Sequence, residues 1–126
     1  MPYEIELDRF LPEKIPHRQI LIEKAARHLA LIEEANRHLN LTRITDERAA
    51  VIKHVVDSVI PWRLFDQARG VLDAGTGAGF PGIPLAMVLP EVHFTLAESI
   101  GKKARFVRGA VETLQLLNAT VEGRRA

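Results

Sequence analysis

A chain of 126 residues with 47% hydrophobic and 26% charged side chains can build one folded domain with a modest core, which excludes disorder as the default state. Its 17 lysines and arginines nearly cancel 16 aspartates and glutamates, leaving a formal net charge of +1, so bulk charge does not mark a nucleic-acid binder. The lack of cysteine excludes disulfides, thiolate catalysis and cysteine-ligated metal, and fits a reducing, cytoplasmic compartment.

In chain order, MPYEIELDRF is acidic and mixed rather than a signal peptide. Residues 1–15 read as an extended or short helical lead-in punctuated by Pro12 and Pro16. From Pro16 to about Leu39 the spacing is helical. Leu21, Ala25, Leu29, Ile32 and Leu39 share one face, while Glu23, Lys24, Arg27, Glu33, Glu34 and Arg37 fill the rest. Asn40 is expected to close this helix, and His17, His28 and His38 are expected to be solvated along it. Thr45 or Asp46 can cap a second helix, with Val51, Val55 and Val59 on its inner side and Pro61 stopping it. His54 and Asp57, three residues apart, share a face of that helix. No apolar run reaches the ~20 residues of a membrane span.

The period then changes. Gly70–Ala74 reads as a short buried strand. A helix follows from Gly79 or Phe80 to Leu89, with Pro81 and Pro84 in its first turn and Pro90 past its end. Val92–Ala97 reads as a second strand, Gly101–Leu117 as a helix, and Ala119–Glu122 as a third strand. This alternation predicts an α/β fold: N-terminal helices over residues 1–65, then a parallel, Rossmann-like βαβαβ half-sheet over residues 66–126, in one domain. A full sheet of this type needs more strands, so the sequence is expected to be a fragment or a truncated product. From Gly101 onward Lys102, Lys103, Arg105, Arg108, Arg124 and Arg125 outnumber Glu112 and Glu122, so this end is basic.

The stretch VLDAGTGAGFPGIPLA, residues 71–86, places an acid at a strand end and four glycines within the next nine positions. Glycine permits positive φ and close approach of a ligand, and the loop falls at the carboxyl edge of the sheet, where open α/β folds bind ligands. Two cofactor readings compete. Gly77 to Gly82 matches G-x-G-x-x-G and would suit an NAD-dependent oxidoreductase half-domain. Asp73, Gly75, Gly77 and Gly79 instead form acid-x-G-x-G-x-G. A carboxylate beside the loop disfavours a pyrophosphate and suits a ligand with an ammonium and a sulfonium, as in S-adenosylmethionine. Glu98, 25 residues after Asp73, lies where an acid commonly binds ribose hydroxyls, which either cofactor carries.

The run from Asp73 to Pro84 resembles the cofactor motif of the bacterial 16S ribosomal RNA guanine-N7 methyltransferases, the glucose-inhibited division protein B family. LNLTRIT at 39–45, HVVDSV at 54–59 and ESIGKKARFVR at 98–108 match in the same order. The resemblance implies a Rossmann-like, adenosylmethionine-dependent methyltransferase of small-subunit ribosomal RNA. By it, Gly75, Gly77, Gly79 and Phe80 wrap the cofactor, Glu98 holds the ribose and Ala126 places backbone near the adenine. Asp73 organises the loop or the methionine ammonium. The family's later strands and an arginine-bearing segment are expected beyond Ala126, so a truncated, non-catalytic RNA-binding or inert product is the alternative. No catalytic base and no metal site are expected. Guanine N7 has a lone pair and no proton, and one His with one Asp makes no metal centre. Lys102, Lys103, Arg37, Arg43 and Arg48 are candidate phosphate contacts to the RNA, which is the expected partner.

Overall fold

The computed structural model describes residues 2–123. Helix α1 (Pro2–Phe10) lies against α2 (Arg18–Ala35); Leu7, with Leu11 just past α1, is buried in one cluster with Leu21, Ile22, Ala25, Ala26, Leu29 and Ile32. Arg18 ties their junction: its guanidinium donates to the Asp8 carboxylate at 2.8 Å and to the carbonyls of Asp8, Leu11 and Pro12. Carbonyls at a helix C-terminus have no partner within the helix, so a cation there is well placed.

Helix α2 ends at Ala35, before the expected stop at Asn40. Asn36 causes this: its Oδ1 accepts from the backbone N–H groups of Leu41 and Thr42, and its Nδ2 donates to the Thr42 carbonyl. A side-chain amide that satisfies the next loop's backbone competes with helix continuation. Asp46 does cap the following helix, α3 (Glu47–Ala50), accepting from Ala49 N–H at 2.9 Å. The chain then widens into a π-helical stretch (Val51–Val56), continues as α4 (Asp57–Val59) and tightens into a 3₁₀ turn (Ile60–Leu64). Val51, Val55 and Val59 are fully buried, as expected. The α-helix ends at Val59, as expected from Pro61, whose φ −81°, ψ 22° are non-helical and kink the chain inside the 3₁₀ turn.

Three parallel strands follow: β1 (Gly70–Ala74), β2 (His93–Ala97) and β3 (Ala119–Glu122), in the order β1-β2-β3. Register runs from Gly70 opposite His93 and from Phe94 opposite Ala119. Helix α5 (Gly82–Val88) joins the first two strands and α6 (Gly101–Thr113) the last two. The interior strand is β2, whose Phe94 and Leu96 are fully buried. Among the described residues β1 is an edge strand and not the buried strand expected from its apolar residues; Leu72 is 57% exposed. All seven residues of α5 are buried, because α5 packs against α2, α4 and β2 at once. Asn118 Nδ2 donates to the carbonyls of Ala86, Leu89 and Val92 and so closes the end of α5. Helix α6 stops at Thr113, four residues early, and Gln115 turns the chain at φ 54°. One apolar cluster runs from Tyr3 through Leu116. Among the described residues no helix is long and apolar enough to cross a membrane.

Candidate functional site

The glycine loop leaves β1 at Ala74. The N–H groups of Gly75 and Thr76 both donate to the Ala97 carbonyl on β2, and those of Gly79 and Phe80 to the Thr76 carbonyl. This winds the loop tightly at the carboxyl ends of β1 and β2. Gly75 and Gly77 have φ of +69° and +62°, and nothing lies within 4 Å of where a Cβ would stand on either. Their left-handed backbone and open frontage suit close approach of a ligand. Gly79 and Gly82 serve packing instead. A Cβ on Gly79 would strike Ile83 and reach 3.4 Å from His28 Nε2, and one on Gly82 would strike Leu96 and Asp73.

Two carboxylates set the loop's shape. Asp73 Oδ2 accepts from Thr76 Oγ1 at 2.6 Å and from Gly82 N–H at 3.0 Å. Burial pushes the Asp73 carboxyl above its ordinary range, against the opposing pull of these two hydrogen bonds. Glu98 is 5% exposed. Its Oε1 accepts from Gly77 N–H at 2.9 Å and its Oε2 from Ile100 N–H at 3.0 Å, just before α6. One acid therefore ties the middle of the loop to the start of the next helix.

Phe80 directs its ring toward the helical part of the molecule. It stacks on His28 with ring centroids 4.7 Å apart and on His54 at 4.6 Å with planes 8° apart. His28 is fully buried, which corrects the expectation of a solvated residue; its Nε2 lies 2.9 Å from the Ala78 carbonyl oxygen. The signal was present in the spacing, since His28 follows Ala25 by three and precedes Ile32 by four on the apolar stripe. His17 and His38 are exposed. Burial lowers the His28 pKa to about 4 against the raising effect of its backbone bond, and lowers that of His54 as well. His54 pairs with Thr42 Oγ1 at 3.0 Å, while Asp57 is exposed, so the two share no common site. Thr76, buried under Asp73, was missed in the sequence because a lone threonine inside a glycine turn carries no pattern.

Lys102, Arg105, Arg108, Arg37 and Arg43 are exposed, and Lys103 is half-buried. Arg48 is engaged with Glu6 at 3.6 Å and lies over the Phe10 ring. Arg124, Arg125 and Ala126 lie outside the described residues. Among the described residues no group of three or more His, Asp or Glu side chains could hold a metal ion.

The profile of the family described as rRNA small subunit methyltransferase G, GidB, matches residues 21–126. The chain belongs to this family. Ribosomal RNA small subunit methyltransferase G of Solibacter usitatus is 59% identical over all 126 residues, which cover 60% of that relative's length. The namesake from Roseiflexus castenholzii is 48% identical over 69% of this chain and 38% of its own, and that from Salmonella arizonae 44% identical over 64% and 39%. The chain thus spans at most about three fifths of the length of these three relatives. The GidB match includes α2 from Leu21 onward, the whole glycine loop and Glu98, so His28 and the loop it touches fall within one family unit.

Proposed function

We propose that this protein transfers a methyl group from S-adenosylmethionine to N7 of a guanine in 16S ribosomal RNA, working in the cytoplasm. The observation that carries this reading is the open, left-handed backbone at Gly75 and Gly77 beside the buried Glu98 carboxylate, at the carboxyl edge of parallel strands. Membership in the GidB family and the names of its relatives support the same activity.

The residues present fit the cofactor. Gly75 and Gly77 leave room against the backbone. Each Glu98 oxygen uses one lone pair on a backbone N–H, and the remaining lone pairs can accept from the two ribose hydroxyls. Asp73 keeps the loop wound, Gly79 and Phe80 form the loop's far wall, and Ala126 is assigned to the adenine side by the family resemblance alone. Bound there, adenosylmethionine supplies an activated methyl on a sulfonium. The chain's own task is to align that methyl with the guanine nitrogen and to exclude water. Positioning of this kind is worth up to ~7–11 kcal/mol in favourable intramolecular systems. Guanine N7 needs no deprotonation, so no general base is assigned. Exposed Lys102, Arg105, Arg108, Arg37 and Arg43 are proposed to meet RNA phosphates.

A dinucleotide is the weaker ligand. Its pyrophosphate would face the Asp73 carboxylate, and Gly82 N–H at the start of α5 already donates to that carboxylate. Titration calorimetry of the complete protein with adenosylmethionine and with NAD, followed by methyl incorporation into small ribosomal subunits, tests the reading. Binding of adenosylmethionine alone, with methylation of a guanine N7, is expected; binding of NAD alone, or methylation elsewhere, overturns it.

A further inference from the structure

We propose that His28 is a positioning residue of the glycine loop: from helix α2 it holds the Ala78 carbonyl and the Phe80 ring, and so keeps Gly75–Gly79 in the shape that admits the cofactor. This rests on the cofactor reading above.

A carbonyl oxygen only accepts, so the 2.9 Å contact requires the proton on Nε2 and leaves Nδ1 bare. Nδ1 is buried and has no hydrogen-bond partner among the described residues. A buried ring with one satisfied nitrogen and one bare one is costly in a core position that leucine could fill. Among the described residues its one hydrogen bond goes to the loop, in the residue between Gly77 and Gly79. The ring borders the loop, because a Cβ on Gly79 would stand in van der Waals contact with Nε2, at 3.4 Å. Burial favours the neutral ring, which donates to the Ala78 carbonyl as its Nε2–H tautomer. On Phe80 the His28 ring is matched by His54, which is itself held by Thr42. The loop is therefore fixed from three directions: by Asp73 on β1, by Glu98 just past β2, and by His28 from α2. Two of these lie in the sheet half. His28 is the hold that reaches across from the N-terminal helices.

The test compares three variants of the complete protein. Glutamine places an amide N–H near the position of Nε2, whereas asparagine is too short and leucine has no donor. The first readout needs no ligand: amide exchange at Gly77, Gly79, Phe80 and Gly82. Exchange there is expected to rise roughly tenfold in His28→Leu and His28→Asn and to recover in part in His28→Gln, while Ala104 in α6 is unmoved. The second readout is calorimetric affinity for adenosylmethionine and adenosylhomocysteine, expected to fall about tenfold for both in the same two variants and to return partly in His28→Gln. Should His28→Leu not fold, the asparagine and glutamine pair decides. A lowered melting temperature with loop exchange and affinity both unchanged would reduce His28 to a core residue and overturn the proposal. Altered loop exchange in a protein that does not bind adenosylmethionine at all would instead overturn the cofactor reading and leave the positioning of the loop standing.

Discussion

Glu98 is buried beside the loop, yet both of its oxygens are held by backbone N–H groups. A structural acid needs no more, whereas a ribose-binding acid needs its spare lone pairs turned to the ligand. Glu98→Gln weakens both duties. The amide keeps the size, gives up one acceptor oxygen, and points an N–H at a backbone donor. Hydrogen bonds to charged groups contribute ~1.5–3 kcal/mol, so affinity for adenosylmethionine should fall roughly ten- to a hundredfold. Adenosylhomocysteine carries the same ribose and should lose the same factor by calorimetry. A loss confined to one of the two ligands would refute the ribose role.

At the scale of elements, α5 carries the site, because its first residue is pressed onto the sheet. Gly82→Ala would drive a methyl into Leu96 on β2 and against the Asp73 carboxylate. Overpacking of this kind costs ~1–3 kcal/mol. Chemical denaturation should show a loss of that size, with a weaker hydrogen bond from residue 82 to Asp73 loosening the loop; a variant as stable as the parent would mean that α5 can shift. The elements differ in how readily the sequence disclosed them. The bounds of β1 and β3 were legible because glycine, asparagine and acid residues bracket short apolar runs, and Asp46 was legible as a cap by its position. The end of α2 was not, because it is set by Asn36 reaching forward to Leu41 and Thr42, a contact with no helical periodicity. The π-helical stretch was hidden because valines four apart suit an α-helix and a wider coil alike. Exposure of β1 follows from its place at the edge of the sheet formed by the described residues, which strand composition does not reveal. In the site, the acid and glycine positions were legible from their spacing, while the aromatic contacts of Phe80 were not, since they join residues 80, 28 and 54 through tertiary packing.

For the molecule as a whole, the N-terminal helices and the sheet share one apolar cluster, and two histidines with lowered pKa values lie at their junction. His28 titrates near its ordinary value of 6.5 in the unfolded chain and at about 4 when folded. Between these values the unfolded chain binds more protons, so stability rises with pH there. The stability associated with the neutral ring is complete above about 6.5 and is lost progressively as pH falls toward 4. A shift of this size corresponds to about 3 kcal/mol. His54 acts in the same direction. Asp73 acts in the opposite one: its raised folded pKa gives stability at low pH that is lost as pH rises through that value. The two effects are separated by comparing variants, because His28→Gln does not titrate and leaves His54 and Asp73 in place. Denaturant unfolding from pH 7 to pH 4 should show the parent losing stability more steeply than His28→Gln, with the curves converging in slope above pH 6.5. Parallel curves across the window would mean that the His28 ring accepts a proton without leaving its place between α2 and the glycine loop.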